Sequence, residues 1–255
     1  MKSNFTRDGY ILLPEFFTCE EMSEIKPVIL NFHKAWVSDN KKLYDERAIN
    51  SAYLTGTKYL DHQDRLTLFR LIASQKIASR LLPLPFKKPA FMNTQLFFNP
   101  ANSDQRNYWH RDPQYHLSIE EQKQALDGPE VIHFRIPLED EPGIELIPGT
   151  HKRWDTEEEF NVRTEAAGRA HHEDLVNGQS IPLRQGDLLI FSANIIHRGL
   201  YGKNRLALDI LFCEAEIELL EFVDKSCLPD EQIMSQLECS EAFANTSKLL
   251  ASSHE

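Results

Sequence analysis

The sequence predicts a mainly β chain with flanking helices, its core an antiparallel sandwich or barrel. Six short β-rich segments fall between about residues 90 and 213: AFMNTQLFFNP, EVIHFRIPLED, IELIPGT, QSIPLRQ, DLLIFSA and RLALDILFCEAEI. Gly, Pro, Asn or Asp sets each of them off. No helical pattern long enough for a parallel crossover separates successive strands, which argues against a parallel α/β sheet. Helical periodicity lies instead before and after this region. The 255 residues suit one large domain. Within it we expect a mixed helical support over 1–89, the β core over 90–213 and an acidic helical extension over 214–255.

At the start of the chain, Gly9-Tyr-Ile-Leu-Leu13 reads as a short buried strand. Phe17-Thr18-x-x-Glu21-Met22 then has the form of a helix start. Thr18 can accept from the Glu21 amide, Glu21 can reach back, and Phe17 can staple against Met22. Pro27 is expected to end or kink that helix. Residues 63–82 carry Leu66, Phe69, Ile72, Ile77 and Leu81 at helical spacing and predict one helix, closed by Pro83 and Pro85. After the β region the helical pattern returns, with Pro229 as a first-turn residue.

Hydrophobic residues make up 41% of the chain, enough for a proper core, and ordinary charge content excludes global disorder. No apolar run is long enough to span a membrane, and the N-terminal stretch lacks the pattern of a signal peptide, so a cytoplasmic address is expected. Cys19, Cys213, Cys227 and Cys239 form no CxxC pair and read as reduced thiols. The net charge of −11 argues against nucleic-acid and anionic-membrane partners. Residues 214–255 hold ten acids against two lysines, so the tail carries most of that charge and reads as a solvated helical appendage.

The most informative segment is Tyr108-Trp109-His110-Arg111-Asp112-Pro113. In extended backbone, residues i and i+2 face the same way, so His110 and Asp112 can present an imidazole and a carboxylate to one point. A third ligand must come from elsewhere. His197, after the strand Asp187-Leu-Leu-Ile-Phe191, is the best candidate. Two histidines and a carboxylate on one face of an octahedron leave open positions, the arrangement of non-haem Fe(II) oxygenases. The spacing alone is weak, because His62-x-Asp64, His171-x-Glu173 and His172-x-Asp174 also fit it. On residue types alone, a core histidine bonded to Asp112 without metal explains His110 about as well.

Several motifs in order resemble the phytanoyl-CoA dioxygenase-like branch of the Fe(II)/2-oxoglutarate oxygenases. They are Asp8-Gly-Tyr-Ile-Leu-Leu-Pro14, Trp109-His-Arg-Asp112, Gly143-Ile-Glu-Leu-Ile-Pro-Gly-Thr-His151-Lys-Arg-Trp154, and Gly186-Asp-Leu-Leu-Ile-Phe191 followed by His197-Arg-Gly199 and Arg205. Together they span roughly residues 8–213. The resemblance implies a double-stranded β-helix, a jelly-roll, cupin-like core whose open mouth holds the metal. It implies Fe(II) on His110, Asp112 and His197, with 2-oxoglutarate and O2 as cosubstrates and succinate and CO2 as products. The commonest outcome in the family is hydroxylation of an aliphatic carbon of a small-molecule substrate. Asp112 disfavours halogenation, because related halogenases carry a small residue there.

The resemblance also assigns Arg205 to the far carboxylate of 2-oxoglutarate, where a guanidinium fork suits a carboxylate. Only eight residues separate His197 from Arg205, a short loop for this family. On the strand before the HxD, Phe91, Asn93, Gln95 and Phe97 are expected on one face, with Gln95, or in reserve Asn93, touching the cosubstrate. Tyr108, Trp109 and Tyr115 are expected as wall residues. Arg135 stands where the family tends to have a large aromatic. With His133 and Pro137 it is expected to face the barrel interior and to read an anionic group of substrate or cosubstrate; a one-residue register slip would turn it to solvent. His151 reads as part of a turn that shapes the mouth. Two other readings stay open: a cupin-type metal-dependent hydrolase or isomerase, and a non-catalytic jelly-roll binding protein.

Overall fold

The computed structural model describes residues 2–252. Among the described residues nine strands form two sheets: β1 (Tyr10–Leu13), β2 (Asn50–Ala52), β3 (Pro89–Phe98), β4 (Val131–Pro137), β5 (Glu141–Ile147), β6 (Gln179–Leu183), β7 (Leu188–Ser192), β8 (Ile196–Gly199) and β9 (Leu206–Glu214). The larger sheet has the order β1-β7-β4-β9-β3-β2 and the smaller β6-β5-β8, and every pairing is antiparallel. This is the expected jelly-roll. The helices are α1 (Lys2–Asp8), α2 (Cys19–Asp39), α3 (Lys41–Glu46), α4 (His62–Ile72), α5 (Gln75–Leu81), α6 (Ile119–Ala125), α7 (Glu157–Arg163), α8 (Glu231–Met234) and α9 (Glu241–Ser252).

Side-chain alternation sorts the large sheet into two faces. Ile132, Phe134 and Ile136 of β4 and Leu208, Ile210 and Phe212 of β9 join one core with Ile29 and Phe32 of α2, Phe69 of α4 and Phe243 of α9. The opposite face looks into the space between the sheets, where Leu189 and Phe191 of β7 pack on Ile144 and Leu146 of β5. By the same alternation His133 and Arg135 of β4 turn inward. The expected register of β4 therefore holds.

Thr18 and Glu21 form the expected capping box at the start of α2. Pro27 does not end that helix, which runs through it to Asp39. Pro27 and Ser23, whose carbonyl Pro27 cannot bond, both lie on the exposed side of the helix, so the lost bond falls at the surface and not in the core. The single helix expected over 63–82 is two, because Ser74 caps a second start by accepting from the Ile77 amide. Pro229 precedes the N-cap Asp230 of α8 and so lies just outside the helix.

The acidic tail is no solvated appendage. Phe243 of α9 is 1% exposed and packs on Phe91 of β3 at 4.7 Å between centroids. Asn245 and Thr246 donate to the backbone carbonyls of Pro89 and Phe91 at 2.8 and 2.7 Å. The acids take the outer face of this segment while its apolar residues finish the core, an amphipathic division that a net charge does not reveal. No helix among the described residues is long and apolar enough to cross a membrane.

Candidate metal centre

His110 and His197 are brought together by the backbone. They face each other across an isolated antiparallel bridge, each amide donating to the other's carbonyl at 2.9 Å. Directly opposed residues put their side chains on the same face, and the two imidazoles lie 4.2 Å apart between centroids. The expected strand at His110 is thus a single bridge, and His197 belongs to β8, a strand not anticipated as separate from β7. Arg111 is nonetheless extended (φ −112°, ψ 140°), so His110 and Asp112 still point the same way. One ligand atom from each of His110, Asp112 and His197 lies within 4.8 Å of the others.

The hydrogen bonds set the chemistry of these atoms. Nδ1 of His110 meets the Tyr108 carbonyl at 3.1 Å, and Nδ1 of His197 meets the Ile195 carbonyl at 3.0 Å. A carbonyl only accepts, so each Nδ1 carries the proton and each Nε2 keeps a free lone pair. Oδ1 of Asp112 lies 3.4 Å from Nε2 of His110 and 3.7 Å from Nε2 of His197. Burial, reinforced by His110, pushes His197 down to about 3, so its imidazole is neutral. Burial would raise Asp112, but the charge and hydrogen bond of His133 outweigh it and hold the carboxyl well below its usual range. Neutral imidazole beside ionised carboxylate is the protonation state a cation requires.

Behind this face lies a chain of buried charge in which Asp209 and Glu141 were not among the expected site residues. Nε2 of His133 binds Oδ2 of Asp112 at 2.7 Å, and its Nδ1 meets Oδ2 of Asp209 at 3.1 Å. Burial opposes the charge on His133, yet the two carboxylates raise it to about 9. Arg135 is 1% exposed and faces inward as expected, but its anions belong to the chain. It donates to Glu141 at 3.0 Å and to Asp209 at 3.1 Å. The expectation that Arg135 reads a substrate or cosubstrate anion is corrected accordingly: two internal carboxylates already neutralise it. The signal was Asp209, four residues beyond Arg205 and so on its face of β9, which alternation along RLALD makes legible.

The HxD segment is anchored from the other side by Arg111. Its guanidinium donates to Asp155 at 2.7 Å, to the carbonyls of Thr150 and Arg153 at 2.6 and 3.0 Å, and to the carbonyl of Asn194. Trp109 is not a wall residue. Its ring points opposite to His110, into a cluster with Ile147, Val162, Leu175 and Ile196, and its Nε1 donates to the Glu173 carbonyl at 2.9 Å. His151 is fully buried against Gly9, whose lack of a side chain it requires: a Cβ there would lie 2.5 Å from Nδ1. His62, His171 and His172 lie outside the cluster of ligand atoms.

A cavity of about 720 Å³ opens over the three ligand residues. Tyr108, Tyr115, Asn93, Gln95 and Arg205 all line it. The one-face assignment of β3 needs correction at Phe91. A bulge between Phe91 and Asn93 breaks the alternation, so Phe91 joins the helix-side core while Asn93, Gln95 and Phe97 keep the cavity side. Arg205 is 4% exposed, and its Nε and Nη1 have no hydrogen-bond partner. Its guanidinium lies over the rings of Tyr201 and Phe97 at 5.4 and 5.7 Å. Gly199 makes the room for it, since a Cβ at that position would stand 2.4 Å from Nη2. The cavity's outer lip comes from the tail, with Glu218, Glu221 and Phe222.

Known structures share this architecture. AviO1 from Streptomyces viridochromogenes Tue57 superposes with a TM-score of 0.57 at 18% identity, over 84% of this chain and 93% of that one. EctD from S. alaskensis, solved with 2-oxoglutarate and 5-hydroxyectoine, gives 0.58 at 16% identity, over 84% and 75%. The non-heme alpha ketoglutarate dependent epimerase SnoN from nogalamycin biosynthesis gives 0.51 at 16%, over 84% and 79%. At these identities the likeness is one of fold. No curated protein matches the sequence. Residues 5–204, however, match the family described as Phytanoyl-CoA dioxygenase (PhyH). The match takes in both histidines and Asp112, and the chain belongs to the phytanoyl-CoA dioxygenase family of Fe(II)- and 2-oxoglutarate-dependent oxygenases.

Proposed function

We propose that this protein is an Fe(II)- and 2-oxoglutarate-dependent dioxygenase that hydroxylates an aliphatic carbon of a small molecule. The observation that carries the reading is the convergence of two bare Nε2 atoms and Oδ1 of Asp112 on one point at the cavity floor. Two imidazoles and one carboxylate, with the cavity open on the remaining side, fit ferrous iron. His110, Asp112 and His197 would hold it. Iron there would couple oxidative decarboxylation of 2-oxoglutarate by O2 to oxidation of the substrate, with release of succinate and CO2.

The chain's own residues supply the rest. Arg205 brings a buried cation with unpaired donors, suited to the far carboxylate of 2-oxoglutarate. Gln95 and Asn93, on the cavity face of β3, are placed to add polar contacts to the cosubstrate. Tyr108 and Tyr115 wall the metal side, each with its ring within 5.5 Å of the His110 ring centroid. Burial, with Tyr108 and Asp112 nearby, raises the Tyr115 phenol well above its ordinary value, so it meets the substrate as a neutral donor.

Charge narrows the substrate. Arg135 and Arg205 are the lysine or arginine residues lining the cavity, and Arg135 is already neutralised. With Arg205 given to 2-oxoglutarate and both His133 and Arg135 paired with internal carboxylates, a phosphate-rich thioester would find no unpaired lysine or arginine among the described lining residues, while Glu121, Glu218 and Glu221 also line the cavity. A neutral or cationic molecule small enough for about 720 Å³ fits better. The test is a metabolite screen for substrate-dependent succinate release with Fe(II), ascorbate and 2-oxoglutarate. Succinate formation that rises with one substrate class and vanishes without iron supports the reading; metal-dependent turnover without 2-oxoglutarate consumption would instead favour a cupin-type hydrolase or isomerase.

A further inference from the structure

We infer that His133 is a positioning residue for the metal centre, which holds Oδ2 of Asp112 so that Oδ1 alone is offered to the cation. The inference rests on the iron-binding reading above. His133 lies on β4, inside the barrel, and is 2% exposed. Both of its ring nitrogens face carboxylate oxygens, at 2.7 Å to Asp112 and 3.1 Å to Asp209, so both donate. The ring also stacks on Phe191, 4.6 Å between centroids and 18° between planes. Three contacts fix the ring plane, and with it the direction from which Asp112 receives its hydrogen bond.

Asp209 is itself held. Its other oxygen accepts from Nη1 of Arg135 at 3.1 Å, and Nη2 of Arg135 donates to Oε1 of Glu141 at 3.0 Å. A chain of alternating charge therefore runs Asp112, His133, Asp209, Arg135, Glu141, from the HxD segment through β4 and β9 to β5. Every member beyond Asp112 is at least 98% buried. A ring braced in this way resists turning away from Asp112. With Oδ2 engaged, Asp112 would offer a bound cation one oxygen, and His110, Asp112 and His197 would together supply three donor atoms. That would leave room for a two-point chelate by a 2-oxo acid and one further ligand. A carboxylate free to bind through both oxygens would take up part of that room.

The test uses Co(II), whose visible absorption reports coordination, titrated into the metal-free full chain, followed by 2-oxoglutarate. His133→Phe keeps a ring for Phe191 and removes both donors. We expect Co(II) binding at least about tenfold weaker, an altered Co(II) spectrum, and a loss of 2-oxoglutarate affinity on the Co(II) protein. His133→Gln offers an amide N–H near the position of Nε2 and should restore most of the metal affinity and the parent spectrum. Near-UV circular dichroism reads folding. Should His133→Phe not fold, His133→Phe/Asp209→Asn replaces it, because the second change removes the carboxylate left without its imidazolium. A folded variant with wild-type Co(II) affinity, spectrum and 2-oxoglutarate binding overturns the inference. So does a His133→Gln protein as impaired as the Phe variant, since the ring would then matter only for packing or charge. Failure of the wild-type chain to bind Co(II) would instead overturn the iron reading itself.

Discussion

Arg205 gives a prediction with opposite signs in two assays. Its guanidinium is buried with two nitrogens unpaired, and burial, reinforced by Arg135, pushes it down to about 10 from an ordinary 12.5. A base lowered by folding destabilises the fold at every pH below its folded value, and the penalty lifts only above about pH 10. At neutral pH that drop corresponds to roughly 3 kcal/mol. The rings of Tyr201 and Phe97 return part of it, about 0.5–2 kcal/mol together. Arg205→Met keeps the aliphatic stem and removes the charge. The metal-free variant should gain about 1–2.5 kcal/mol, a rise in Tm of roughly 2–10 °C. Its affinity for 2-oxoglutarate should fall, because two charge-assisted hydrogen bonds at about 1.5–3 kcal/mol each are lost. That is roughly a hundredfold to ten-thousandfold in Kd. Differential scanning calorimetry of the metal-free protein and calorimetric titration of the Mn(II)-loaded protein read the two effects. A variant that is less stable yet binds 2-oxoglutarate normally would show that Arg205 braces the barrel and does not serve the cosubstrate.

Alanine at His110, Asp112 or His197 should abolish Fe(II) binding and leave the circular dichroism spectrum unchanged; His171→Ala, outside the cluster, should bind iron like the parent, and an anaerobic Fe(II) titration checks both. Arg135→Leu should lower stability in urea by about 3–5 kcal/mol, because Glu141 and Asp209 are left buried with fewer cations. Phe243→Ala should cost about 3–5 kcal/mol in the same assay, since it opens a cavity against Phe91 and Phe69.

What the sequence made legible follows from how local each signal is. The six β segments alternate or run apolar within themselves, so the strands were readable, while the inward turn of Arg135 depended on a register that one residue of slip would reverse. The pairing of His110 with His197 was readable because each carries its own flanking motif. The bulge at β3 was not, since one inserted residue reverses parity without changing composition. Ser74 broke the helix over 63–82 because a serine that caps and a serine that sits inside a helix look alike in one sequence. The tail was misjudged for a related reason. Ten acids dominate its charge, while Ile233, Phe243 and Thr246, the residues that dock it, are few. Partners across the barrel, Asp209 for His133 and Glu141 for Arg135, depend on tertiary register that no single segment contains.

The two buried arginines explain one another. Arg135 and Arg205 stand close enough that each disfavours the other's charge, and the fold tolerates both only because Asp209 and Glu141 sit beside the first. The second is left with donors to spare. An interior with two unpaired guanidiniums would draw anions nonspecifically and would hold 2-oxoglutarate in more than one pose. On the proposed reading, an interior with one would direct 2-oxoglutarate in a single direction, its far carboxylate to Arg205 and its keto acid end to the face formed by His110, Asp112 and His197. The same economy reaches the metal, because the carboxylate that answers Arg135 also anchors the imidazole that holds Asp112. The described residues that line the same cavity around this face include the aromatic rings of Tyr108, Tyr115 and Phe222 and the carboxylates of Glu121, Glu218 and Glu221.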